Sequence, residues 1–322
     1  MARHVNESLR EPPDRNEQVD YFNATFYLGD PSAYLRTRLQ MLLLVATRSN
    51  ELSELSDEGL TFEGVTIAPS EPAKDPEIDH ESVDRYVTTE IVLLQHHAAE
   101  AALRIYTAHA TKPALPWIDL ADRRKFWEFK AFVRTELVDG TPDRAEIGRV
   151  CLGNRMPPEG GHEDDWESAI DGLTAFLRSL ATVFLDDAPV YNALKHGLRA
   201  TPSNMSFTIG GIQVGHGASI SYPEVTEWDT DEHRLWSLTT RWFDRTEAIG
   251  LIEVAIRMID SIMKVGKAAT TAPSQRPTHL DGLFYPSLFR PKDLRSGDRT
   301  GPAQRIQMPV IEERKSADSD NP

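Results

Sequence analysis

The sequence predicts a mainly α-helical bundle with a small β-hairpin insertion and disordered termini. Three observations carry that expectation. Trp166, Ile170, Leu173, Leu177, Leu180 and Phe184 step by three and four, the seam of a helix packed in a bundle. Residues 205–223 instead break into SFTI, IQV and ASISY, separated by Gly210-Gly211 and by Gly215-His216-Gly217, which reads as short strands joined by glycine turns. Both ends of the chain are polar and show neither period.

Taken in order, residues 1–17 carry Pro12-Pro13 and no apolar run, and are expected to be disordered. Asp30-Pro31 is a helix start signal, and Leu35, Leu39, Leu42 and Ala46 recur at helical spacing, so a helix is expected over about 32–50. Residues 51–81 hold ten carboxylates against Lys74, with Pro69, Pro72 and Pro76, and read as a solvated acidic linker. A second helix is expected over 82–109. A third, over 120–138, carries Phe126, Trp127, Phe129, Phe132 and Val133. Gly, Pro and charge over 139–163 read as a loop. The Trp166 helix stops at Asp186-Asp187-Ala188-Pro189. There Asp187 can cap a new helix, and Pro189 fits its first turn, where no N–H partner is required. The new helix holds PVYNALKHGLR and ends between Gly197 and Pro202. A last helix is expected over 245–266, with Ile252, Ala255, Ile256, Ile259, Ile262 and Met263 on one side. One mainly helical domain over 18–266 is therefore followed by a largely disordered tail, 267–322. Within the tail Gly282–Phe289, GLFYPSLF, is apolar enough to dock on the parent domain.

Composition sets outer bounds. Of 322 residues, 40% are hydrophobic and 26% charged, ordinary for a globular chain. The formal charge of −15 opposes non-specific attachment to a phosphate backbone, which needs a basic footprint. A single cysteine, Cys151, excludes an intramolecular disulfide and a multi-cysteine zinc site, and suits a reducing cytoplasm. The longest apolar run, MLLLVA at 41–46, is too short for a bilayer, and the N-terminus lacks a signal-peptide core, so no membrane association is expected.

Two helices concentrate the chemistry. Residues 91–106, IVLLQHHAAEAALRIY, are apolar on two sides, as in a central bundle helix. Ile91, Leu94, Ala98, Ala101, Ala102 and Ile105 form one face, and Val92, Ala99 and Leu103 a second. Between them runs a narrow polar strip of His96, Glu100 and Arg104 at i, i+4, i+8, with His97 beside it. Glu100 and Arg104 can pair at i, i+4. The strip reads either as a structural ion pair or as the lining of a cleft. In the second helix Tyr191, Leu194 and Leu198 share one face, expected to pack inward. Asn192, His196 and Arg199 share another, close to a helix N-terminus, where anions are favoured. His196 is the member that exchanges protons near neutral pH.

The order of a helix with a central Glu, a long helix, a tight break and a polar helix resembles the HEPN superfamily over about 82–200. Its motif has Arg, a polar residue, three further residues and His. YNALKH has that length, with Asn192 at the polar position, His196 at the His position and Tyr191 where the family has Arg. The resemblance implies a helical bundle, commonly dimeric, and in many members metal-independent RNA cleavage. It implies no cofactor.

Other signatures are absent or incomplete. GHGAS at 215–219 lacks the third glycine of a dinucleotide loop. No GxSxG elbow exists, and Cys151 has no base near it in sequence. No HExxH is present, and HEDD at 162–165 falls in a predicted loop, so no metal is expected. The expected function is binding of RNA or a protein partner without catalysis, with a possible homodimer. His96, Glu100, Arg104, Tyr191 and Lys195 are the candidate binding residues. One alternative is a metal-independent endoribonuclease using His196, Asn192 and a displaced cation such as Arg199. The other is a structural helical protein with no site.

Overall fold

The computed structural model describes residues 15–57, 60–63, 65–67, 76–122, 126–154, 163–195, 199–209, 212–227, 233–271, 280, 283–285 and 305–314. The fold is mainly helical, with a small antiparallel β component. Its helices are α1 (Arg15–Leu28), α2 (Pro31–Thr47), α3 (Ser49–Asp57), α4 (Pro76–Thr111), α5 (Pro116–Ala121), α6 (Phe126–Val133), α7 (Arg144–Ile147), α8 (Glu163–Asp186), α9 (Ala188–Leu194) and α10 (Arg245–Thr270). Its strands are β1 (Leu60–Phe62), β2 (Val65–Ile67), β3 (Thr201–Asn204), β4 (Phe207–Ile209), β5 (Ile212–Gly215), β6 (Ala218–Glu227), β7 (His233–Trp242) and β8 (Arg305–Arg314).

The chain divides into two compact units. The first comprises residues 1–32, 101–177 and 257–290. Its core is built from Leu103, Tyr106, Phe129, Val133, Ile170, Leu173, Leu177, Ile259 and Ile262, none more than 4% exposed. The stretch 139–163, expected as a loop, is structured at its centre. Asp143 caps α7 by accepting from the Ala145 N–H at 2.9 Å. A π-helical turn over Gly148–Leu152 follows and buries Val150, Cys151 and Leu152. Gly and charge hid this turn, because its apolar residues are adjacent rather than spaced at 3.6. The Ser261 hydroxyl donates to the Cys151 carbonyl at 2.9 Å and accepts from the Phe284 N–H at 3.1 Å. Phe284 itself is buried, edge-on to Phe176 at 6.5 Å. Of the apolar Gly282–Phe289 segment, only Leu283–Tyr285 lies within the described residues.

The second unit comprises residues 33–100, 178–256 and 291–322. Its largest sheet has the order β3-β6-β7-β8, all antiparallel. Strand pairing therefore reaches well beyond the expected 205–223. Pro223 interrupted the alternation there, yet β6 and β7 pair in register from Ser219↔Trp242 to Glu227↔Arg234. A separate β4–β5 hairpin leads into β6. At Gly215 a Cβ would collide with the Trp242 indole, whose Nε1–H donates to the Met205 carbonyl at 2.9 Å. Only glycine lets the hairpin lie against that ring.

Four further expectations change. Part of the N-terminal segment is helical, because α1 begins at Arg15. The acidic stretch contains α3 and the β1–β2 hairpin. Inside the expected tail, β8 pairs with β7 from His233↔Arg314 to Arg241↔Arg305. The helix of 120–138 is two helices, α5 and α6, followed by a π-helical turn over Arg134–Asp139. Among the described helices α8 has the length and composition to cross a bilayer, but 56% of its most apolar window is buried within the protein.

Candidate functional site

The candidate site belongs to the second unit and begins with the placement of α9. Val190, Ala193 and Leu194 are buried in one cluster with Val92 of α4 and Ile220 and Tyr222 of β6. Val92 comes from the second apolar face of α4. That face is therefore not redundant: it holds the short helix between α4 and the sheet. With Val190 and Leu194 turned into that cluster, Tyr191 is presented to the polar strip of α4.

Three rings stack there. The His96 ring is fully buried, 4.1 Å from the Tyr191 centroid at 19° and 5.2 Å from Phe184 at 29°. His97 meets the same tyrosine edge-on, and its Nε2 lies 2.7 Å from the Tyr191 hydroxyl. Its Nδ1 lies 2.8 Å from Arg38 Nη1 on α2, and Arg38 Nη2 lies 2.7 Å from Glu90 Oε2. A guanidinium has donors only. His97 Nδ1 must therefore accept from Arg38, which leaves the ring proton on Nε2, pointing at Tyr191. Burial, reinforced by the Arg38 charge, holds the His97 imidazole below its ordinary range, although Glu100 and Glu90 pull the other way. The imidazole is neutral at pH 7, consistent with the tautomer that the geometry demands. Burial first, and then the charge of Glu100, raise Tyr191, so the phenol keeps its proton. Its oxygen already accepts from His97. Its own O–H can therefore serve an external acceptor, and no described residue takes it. The relay reads Glu90⁻, Arg38⁺, neutral His97, then the Tyr191 hydroxyl.

Around this relay, Tyr34 is 64% exposed and lies 5.7 Å from the Arg38 guanidinium, ring to cation. Lys195 is exposed, with Nζ 5.9 Å from the Tyr191 centroid. Asn192 and Arg199 are exposed, and His196 lies outside the described residues. The structure thus brings His96, His97, Glu100, Tyr191 and Lys195 together. Tyr191, expected to pack inward beside Leu194, is only partly buried and belongs to the polar cluster. Arg104 sits in the first unit, its guanidinium 4.2 Å from the Phe129 centroid. Sequence reasoning missed Arg38 and Glu90. Arg38 stands between the buried Leu35, Leu39 and Leu42, a weak signal of a cation at the rim of a core. Its partners lie 52 and 59 residues away, and no local spacing announces them.

Two other arginines of this unit are anchors. Arg245 grips Asp84 with two bonds of 2.6 and 2.8 Å and donates to Thr88 at 2.5 Å. Arg241 pairs with the buried Asp187 at 2.7 Å and donates to the Asp186 carbonyl, fixing the break between α8 and α9. Among the described residues no three His, Cys, Asp or Glu side chains converge as a metal site would need. No family model, no curated protein and no solved structure matches this chain.

Proposed function

We propose that the chain is a HEPN-like helical protein that binds single-stranded RNA at the Tyr191 cluster without cleaving it. The observation that carries this reading is the relay from Arg38 through His97, which turns Tyr191 into a fixed hydrogen-bond donor. A phenol held this way offers one donor to a phosphate or a base edge. Exposed Tyr34 offers a stacking face, and Lys195 offers positive charge beside the Tyr191 ring. Aromatic faces combined with a few cations suit unstacked RNA bases better than a duplex backbone. With few cations at the cluster the phosphate contacts are few, so a shallow salt dependence of binding is expected.

Catalysis does not follow from the same residues. At the position where the resembled family has Arg, Tyr191 supplies one hydroxyl and no charge, and a phenol is not a guanidinium clamp on a scissile phosphate. The Arg38 guanidinium is already committed to His97 and Glu90.

Fluorescence anisotropy with a labelled single-stranded RNA in EDTA, followed by gel analysis of the same sample, tests the reading. Binding without cleavage is expected. Tyr191→Phe should weaken it by about 10-fold or more, the size of one hydrogen bond to a charged acceptor. Cleavage that disappears in His196→Ala would replace this reading with the ribonuclease. Absence of any RNA binding would leave a protein as the partner.

A further inference from the structure

The first unit holds a cavity of about 290 Å³. Ligand pockets run from roughly 300 to 1,000 Å³, so this one suits a small molecule. Its walls are apolar or small: Val150 and Gly153 after α7, Val265, Ala268 and Ala269 on α10, and Leu280. Gly153 ends the π-helical turn with a positive φ of 63°, a conformation that L side chains rarely adopt. At Gly266, also on the wall, a Cβ would collide with the Tyr27 hydroxyl and approach His109 Nε2 at 2.8 Å. That glycine is therefore fixed by α1 and α4, and the space beside it stays open.

Two polar side chains reach this cavity, and they differ in what they can offer. His109 is buried and fully used. Its Nδ1–H donates to the Ile105 carbonyl at 2.8 Å, and its Nε2 accepts from the Tyr27 hydroxyl at 3.0 Å. Burial lowers its basicity, so it brings no charge. Arg149 is different. It spends two of its five N–H donors on the His109 and Ala110 carbonyls, both at 3.3 Å, against an ordinary N–H···O distance of about 2.9 Å. Glu146 stands 3.9 Å away, a loose ion pair, and the guanidinium keeps 39% of its surface open. An apolar chamber with one under-used planar cation at its side matches a molecule with one planar anion and an apolar body. A guanidinium binds a carboxylate through two parallel bonds. A phosphate dianion would bring more charge than a single cation in these walls can match.

We propose that this cavity is a binding site for a short-chain aliphatic monocarboxylate, with the carboxylate on Arg149 and the chain against Val150, Val265 and Ala268. The site is independent of the RNA-binding reading above.

Calorimetric titration of the full chain with octanoate, alongside octanamide as the uncharged match, tests it. Saturable one-to-one binding is expected, with Kd of about 10 µM to 1 mM for a ligand of this size. Octanamide should bind at least about 10-fold more weakly, because it cannot form the charged fork. Arg149→Gln should show the same loss. Ala269→Leu should abolish binding by filling the chamber; Ala269 is exposed on α10, so that variant keeps its fold even if Arg149→Gln, which also loosens the end of α4, does not. The proposal falls if octanoate does not saturate by about 10 mM, a threshold well above the expected Kd. It also falls if octanamide binds as well as octanoate, or if Ala269→Leu binds like the unmodified chain.

Discussion

His97 decides what Tyr191 can do, because a hydroxyl that both donates and accepts is directed by whichever partner has no choice. Arg38 has none: it can only donate, so it fixes His97 as an acceptor on Nδ1 and a donor on Nε2. Protonating His97 would put a second positive charge 2.8 Å from Arg38 in place of an accepted hydrogen bond. The ring is accordingly harder to protonate in the fold than in the unfolded chain. Its contribution to stability is complete above the unfolded His value, about 6.5, and is lost as the pH drops through the lower folded value. The groups facing it are Arg38 from α2, Glu90 and Glu100 from α4, and Tyr191 from α9. Thermal melts from pH 8 to 5 should therefore show a declining Tm below about pH 6.5. That slope should flatten in His97→Gln, while His109, also held low by burial, supplies what remains. An unchanged slope in the variant would mean that the imidazole is not held neutral by Arg38. Elsewhere, the buried Cys151 thiol is pushed upward by desolvation alone, and this cysteine should resist alkylation until the chain unfolds.

At the scale of elements, α4 and α9 show what periodicity reveals and what it hides. The apolar spacing along α8 and α10 was legible, since each buries one continuous stripe, and both helices form where the spacing predicts. The polar strip on α4 was legible as an exception to its apolar surroundings, and the structure brings His96, His97 and Glu100 beside Tyr191. Arg38 and Glu90 were not legible, because their roles come from tertiary approach and not from neighbours in sequence. The short α9 depends on the same tertiary support. At 7 residues it is too short to persist alone, so Leu194, 5% exposed, must help to fix where Tyr191 points. Leu194→Ala should cost about 2–3 kcal/mol in urea unfolding and also weaken ligand binding at Tyr191, as a cavity under a short helix loosens its placement. Stability loss with unchanged binding would separate the helix from the site. The Arg245–Asp84 clamp makes a smaller contribution. Both groups are about one-third exposed, so despite two short bonds a double-mutant cycle should return about 1 kcal/mol or less, fading in high salt.

Across the whole molecule, the end of the sequence contributes to the fold in a way that local reading does not capture. Arg305–Arg314 reads RIQMPVIEER, with Pro309 inside it and charged residues at both ends. A proline within an apolar run counts against a central strand but is tolerated on an edge. That is where β8 lies, last in the order β3-β6-β7-β8, with Pro309 opposite Ser237 next to a register shift. The same feature that disguised the strand thus fits its position, since an edge carrying a proline and terminal charges is a poor template for another chain. Without β8 the edge of the sheet would be β7, whose ten residues carry no proline and include Leu235, Trp236 and Leu238. Two consequences follow for a chain ended at residue 304. Its urea midpoint should fall, because the pairing from His233 to Arg241 is lost. It should also associate with increasing concentration, seen as a rising mass in light scattering, because the uncovered β7 edge presents unpaired N–H and C=O groups. Adding a peptide of residues 305–314 in trans should reverse both effects by restoring the fourth strand. A truncated chain that stays monomeric with an unchanged midpoint would show that β8 neither stabilises the sheet nor guards its edge.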